Sequence, residues 1–156
     1  MDESVSMPMR LSRTDAGNPE FLRLVELLNV DLAQRDGEDH AFYNQYNGLE
    51  EIKNAVVCFK DSQAVGCGAM KMVSHGTMEV KRMYVLPDQR GSGIATAVLR
   101  ELEQWASDLK MSRLILETGK RQPEAIRLYE KNGYVRIENF EPYVGIENSV
   151  CFEKLF

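Results

Sequence analysis

Apolar residues recur at three- and four-residue steps in Phe21, Leu24, Val25, Leu28 and Leu32, which predicts one face of an amphipathic helix. Asn18 can cap its start, and Pro19 suits the first helical position because its missing N–H would find no partner there. Upstream, Met7 to Arg13 reads as a strand, with Asp15-Ala16-Gly17 as the turn between. Arg35 to His40 is a polar break, and Ala41 to Asn54, carrying Phe42, Tyr43 and Tyr46, reads as a short helix or lid-like loop. From Ala55 the pattern changes to three short apolar runs, Ala55–Lys60, Ala64–Val73 and Met78–Leu86, joined by Asp61-Ser62-Gln63 and Ser74-His75-Gly76. Such spacing predicts an antiparallel meander.

Pro87 and Asp88 stop the third run, and a turn at Gly91 and Gly93 opens a helix to about Leu109. Its inward face is Ile94, Val98, Leu102 and Trp105, flanked by Leu99, Ala106 and Leu109, with Arg100, Glu101, Glu103 and Gln104 left for solvent. Ser112–Thr118 is a further strand, followed by a helix from Gln122-Pro123 to Asn132-Gly133, where glycine suits the left-handed C-terminal position. Strand, helix, strand predicts a right-handed parallel crossover. Tyr134–Ile137 and Ser149–Glu153 complete the set, joined by a stretch containing Phe140-Glu141-Pro142-Tyr143. The expected class is α/β (α+β): one domain over residues 1–156, with a mixed, mostly antiparallel sheet of six to seven strands and helices on both faces.

Composition narrows the function classes. With 44% hydrophobic and 28% charged residues among 156, the chain has the balance of a globular protein with its own core. Nineteen Lys+Arg against 24 Asp+Glu give a net charge of -5 without a basic cluster, which argues against nucleic acid as a partner. Three cysteines, Cys58, Cys67 and Cys151, lack C-x-x-C spacing and suit a reducing cytoplasm, and His40 and His75 stand isolated, so no metal site is expected. The acidic start Met1-Asp2-Glu3-Ser4 differs from a targeting signal, and no apolar run has the length of a membrane helix.

The segment Arg90-Gly91-Ser92-Gly93-Ile94-Ala95 lies between a strand and a helix whose first N–H groups have no intrahelical partner. Together with the positive end of the helix dipole, those donors suit a pyrophosphate, and Arg90 adds charge. The loop differs from a Walker loop in lacking Gly-Lys-Ser/Thr, and from the dinucleotide fingerprint in lacking the third glycine.

The run from Glu79 to Ala95, with Ala125-Ile126-Arg127-Leu128-Tyr129-Glu130-Lys131-Asn132-Gly133-Tyr134 downstream, closely resembles the GNAT superfamily of acetyl-coenzyme A-dependent N-acetyltransferases. Arg90, Gly93 and Ala95 meet the pattern Arg/Gln-x-x-Gly-x-Gly/Ala, and Leu128-Tyr129 and Gly133-Tyr134 match the late helix and its end. The resemblance implies pyrophosphate on the amides of Arg90, Gly91, Ser92, Gly93, Ile94 and Ala95. It also implies pantetheine along Met83, Tyr84 and Val85, where the fourth strand splays from the fifth. Gln122 stands where family members often carry Asn for a cofactor contact. Glu79 is placed like the family's carboxylate base, with Glu117 and a water as rivals, and Tyr129 matches its tyrosine general acid. A backbone N–H near Met83 or Val85 would polarise the acetyl oxygen.

The implied activity is direct acetyl transfer from acetyl-coenzyme A to a small amine, cationic or amino-acid-like, in a ternary complex. A non-catalytic acyl-coenzyme A sensor and acetylation of a peptide or protein N-terminus are the alternatives. Asp36, Glu38, Asp39, Phe42, Tyr43, Tyr46, Phe140 and Tyr143 are the expected acceptor wall. Many relatives pair through late strands or a sheet edge, so the resemblance leaves a homodimer open.

Overall fold

The computed structural model describes residues 8–36 and 52–156. Strands β1 (Met9–Thr14), β2 (Asn54–Lys60), β3 (Gln63–Ser74), β4 (Thr77–Val85), β5 (Arg113–Gly119), β6 (Val135–Ile137) and β7 (Ser149–Leu155) form one sheet in the order β1-β2-β3-β4-β5-β7-β6. All neighbours are antiparallel except β4 and β5; the meander is as expected, and the crossover expected from β5 ends at β6, which β7 separates from β5. Helix α1 (Pro19–Asp36) covers one face, and α2 (Ile94–Asp108) and α3 (Pro123–Lys131) cover the other. The expected lid over Ala41–Asn54 lies outside the described residues except at its end, where Asn54 already belongs to β2.

Alternation along the strands builds two cores. Val56, Cys58, Val80, Leu114, Leu116 and Phe152 face α2 and α3, while Ala55, Val57, Cys67 and Ala69 face Phe21, Leu24, Val25 and Leu28 of α1. The Asn18 side-chain oxygen accepts from the Phe21 N–H at 3.1 Å, so the predicted cap is in place. Trp105 departs from the expected inward face of α2. It is only partly buried and lies under the Arg13 guanidinium, 5.1 Å from its ring centroid, while Leu99 and Ala106 fill the core. At about 100° per residue position 105 falls between Ile94 and Val98, so its partial exposure comes from its place in the last turn of α2, beside Arg13 of the edge strand β1.

Two features of β4 create the functional geometry. First, its parallel pairing with β5 covers only Thr77–Val80 against Arg113–Leu116, so Lys81–Val85 and Glu117–Gly119 diverge. Second, β4 contains a bulge. Cys67 pairs with Tyr84 and Ala69 with Lys81, which leaves one extra residue in β4, and Arg82 there has φ of 60°. The extra residue reverses the alternation, so Tyr84 faces α1 with Glu79 and Lys81, while Met83 packs toward α2.

Candidate active site

A cavity of about 440 Å³ occupies the divergence of β4 and β5 and is lined by residues from both faces of the sheet. At the α2 and α3 end its wall comprises Gln89, Arg90, Gly91, Gly93, Ile94, Ala95, Thr96, Gln122 and Tyr129. Toward α1 it comprises Leu28, Asp31, Glu79, Lys81, Arg82, Glu117 and Tyr143. Met83, Tyr84 and Val85 line the passage between them. The divergence therefore opens a route through the sheet.

The α2 end of the cavity is shaped by backbone conformation. Gly91 and Gly93 have φ of 83° and 85°, a region that side-chain-bearing residues seldom adopt, and no atom lies within 4 Å of a Cβ built at either. Conformation, and not lack of room, is what calls for glycine there. Gly93 is the N-cap of α2 and no side chain caps that end. The first helical bond runs from the Ala97 N–H to the Gly93 carbonyl at 3.0 Å, so the N–H groups of Ile94, Ala95 and Thr96 remain available at the helix start. Arg90 adds its charge beside them. Its Nε donates to the Val85 carbonyl at 2.9 Å, and its guanidinium lies 5.5 Å from the Tyr84 ring centroid. Ser92 is the one predicted cofactor residue off the cavity wall. It is exposed, and its Oγ donates to the Gln89 carbonyl at 2.8 Å, tightening the turn from outside.

Tyr129 projects from α3, where its ring meets Tyr134 edge-on at 5.8 Å and Phe152 at 6.2 Å. Burial pushes the phenol above its ordinary range, and the charge of Glu117 adds to the shift, so Tyr129 keeps its proton at neutral pH. The far end of α3 is tied down. The Tyr134 hydroxyl donates to Glu103 at 2.9 Å, and Lys154 donates to Glu103 and to the Asn132 carbonyl at 3.2 and 2.9 Å.

Three carboxylates lie on the α1 side of the wall, those of Asp31, Glu79 and Glu117. Glu79 is buried and accepts from Lys81 Nζ at 3.3 Å. Across the opening, Glu117 accepts from Ser149 Oγ at 2.7 Å. Arg82 Nη1 donates to Asn29 Oδ1 at 2.7 Å, and burial draws its pKa down from the ordinary guanidinium value. Tyr143 joins the wall from the late loop, while Phe140, expected beside it, packs behind it with ring centroids 5.7 Å apart. The expected acceptor residues Glu38, Asp39, Phe42, Tyr43 and Tyr46, and the side chain of Asp36, lie outside the described residues, as does His40. His75 is exposed, and the three cysteines are buried thiols. Among the described residues no group of three or more His, Cys, Asp or Glu is arranged to hold a metal, and no helix is long and apolar enough to cross a membrane.

Sequence reading missed Lys81, Arg82 and Asp31. Lys81 was accessible to it, since residues two apart on a strand share a face and Glu79 was already singled out. Arg82 depends on the bulge, which leaves no comparable periodic signal.

The acetyltransferase (GNAT) family model matches residues 21–134, and the chain belongs to that family. It is 38% identical over 100 residues to an IAA acetyltransferase of Azospirillum brasilense, a match covering 64% of this chain and 65% of that protein. The matched stretch thus spans just under two thirds of that relative. An acyl-CoA N-acyltransferase-type protein of Klebsiella pneumoniae superposes with a TM-score of 0.78 at 32% identity, covering 95% of this chain and 98% of that one. The PaiA N-acetyltransferase of Thermoplasma acidophilum, solved in complex with coenzyme A, has a TM-score of 0.71 at 16% identity, covering 96% of this chain and 100% of that one. This last likeness is one of fold.

Proposed function

We propose that this protein transfers the acetyl group of acetyl-coenzyme A directly to the amine of a small acceptor. One observation carries the reading. A single cavity joins the available amides of the α2 start to the carboxylates of buried Glu79 and half-buried Glu117 on the opposite face of the sheet, with Tyr129 on its wall. Acetyl-coenzyme A would supply an activated thioester and a thiol leaving group. The amides from Arg90 to Thr96 would hold its pyrophosphate, and the diverging backbone of Met83–Val85 its extended arm. Gln122, also on the wall, replaces the asparagine common in relatives and keeps an amide there.

An alkyl ammonium has a pKa near 10.4, so the acceptor must lose a proton before its nitrogen can attack. Glu79 is the carboxylate we assign to that proton, through a water where the acceptor lies further off. Glu117 lies on the other lip of the opening and is engaged by Ser149. As the new C–N bond forms and the C–S bond breaks, Tyr129 gives its proton to the departing sulfur. A backbone N–H of diverging β4 would stabilise the acetyl oxygen. Catalysis is favoured over a sensor because the wall carries an O–H donor and several carboxylates, Glu79 and Glu117 among them, in addition to the anion cradle.

Tyr129→Phe keeps the ring contacts and removes the proton. Turnover should fall by about 10²-fold or more while the dissociation constant for coenzyme A shifts by less than about threefold. Unchanged turnover removes Tyr129 from the mechanism. Cofactor binding without thiol release above hydrolysis across a broad amine panel would favour the non-catalytic module.

A further inference from the structure

The Glu79–Lys81 pair is placed unusually for a structural ion pair. Both side chains are nearly fully buried, at 7% and 5% exposure, yet both line the cavity. Removing two charges from water brings little net stability to a fold. The contact is also loose. Its 3.3 Å separation exceeds the roughly 2.7–2.9 Å of a well-formed ammonium–carboxylate hydrogen bond. Arg82 follows on the bulge and lines the same wall, so the acceptor end contains two cations beside the carboxylates of Asp31, Glu79 and Glu117. A purely cationic amine or a polyamine entering there gains the carboxylates but meets Lys81 and Arg82 at close range, where like charges repel strongly. A molecule with an ammonium and an anion a few bonds apart meets opposite charge with both ends.

Building on the acetyl-transfer reading above, we propose that the acceptor is a zwitterion of amino-acid type, with its amine directed to Glu79 and its carboxylate to Lys81. Lys81 is then the residue that selects for the anionic end. Sites built to pair a polar group discriminate against analogues that lack it, because the site's own group is left unpaired.

The test is a thiol-release assay with acetyl-coenzyme A and the common L-amino acids, each measured beside its own carboxamide. For the best acceptor, kcat/KM should favour the acid over the carboxamide by about tenfold or more. Lys81→Met should reduce that ratio to below about threefold, and Lys81→Arg should retain most of it. Thermal melting checks that each variant folds, and if Lys81→Met does not, the wild-type ratio decides alone. Carboxamides acetylated as well as their acids would overturn the inference while leaving acetyl transfer standing, as would a ratio that survives Lys81→Met. Coenzyme A binding with no amine acetylated at all would overturn both.

Discussion

Gly66 tests how closely the proposed anion cradle at the α2 start depends on the sheet beneath it. A Cβ built on this β3 residue lies 2.7 Å from Ile94 Cγ2 and 3.2 Å from the Tyr84 carbonyl oxygen. Ordinary carbon–carbon contact begins at about 3.5 Å, so Gly66→Ala forces a movement of roughly 1 Å. Neither neighbour gives way easily, because Tyr84 contributes backbone and Ile94 is a β-branched residue, fully packed at the first position of α2. Overpacking of this kind costs about 1–3 kcal/mol, less about 0.4–1 kcal/mol regained from the stiffer unfolded chain. A net loss of about 1–2 kcal/mol should lower Tm by roughly 2–8 °C in a chain of this size. The same movement displaces the amides of Ile94, Ala95 and Thr96, and coenzyme A affinity by calorimetry should fall by about tenfold or more. Ile94→Ala removes the atom that clashes, so the double variant should bind coenzyme A better than the sum of the single effects predicts. Unaltered melting and affinity in Gly66→Ala would refute the claim that β3 glycine sets the position of the α2 start.

Asn18→Ala removes the acceptor for the Phe21 N–H and should cost about 1 kcal/mol by chemical denaturation; a change below a few tenths would mean that the cap contributes nothing. Burial pushes the Cys67 thiol up to about 12 and Cys151 to about 11, and raises Cys58 as well. The native protein should therefore leave all three thiols unreactive toward a disulfide reagent at pH 8, and release all three in denaturant. Because the folded thiols hold their protons to higher pH than unfolded ones near 9, their contribution to stability is complete below pH 9 and is lost as pH rises toward 11–12. The denaturation midpoint should fall between pH 8 and 10, and fall less in Cys67→Ala; an identical fall in that variant would exclude the thiol as a cause.

Much of the scaffold was legible because its signals are local and periodic. The strands β2 to β4 and helices α2 and α3 each lie within one or two residues of their expected bounds, since alternation, three-to-four spacing and the stops at Pro87 and Gly133 all act within a few residues. The glycine turn from Arg90 to Ala95 and the uncapped helix start behind it were readable for the same reason. Glu117 is already a rival to Glu79 in the sequence, and Lys81 shares a strand face with Glu79; what local signals do not give is where β4 and β5 part, beyond Val80 and Leu116. Arg82 is harder still. Its left-handed φ comes from one surplus residue in the pairing with β3, and nothing in Val80-Lys81-Arg82-Met83 announces it. Trp105 has the angular position of the buried stripe; what helical period does not give is that the last turn of α2 lies beside the edge strand β1, where Arg13 covers the ring.

The divergence of β4 from β5 also gives the molecule an edge strand in its own interior. An unpaired row of backbone groups on a sheet normally invites pairing with another chain, and proteins guard such rows with charge, brevity or cover. Here the row is bounded by α1 on one face and by α2 and α3 on the other, and Lys81, Arg82, Tyr84 and Val85 are each only 8% exposed. A slender extended ligand can reach it, whereas a strand arriving with the rest of a folded protein cannot. The narrowness proposed to admit a cofactor arm would thus also shield the chain from pairing through its own interior edge.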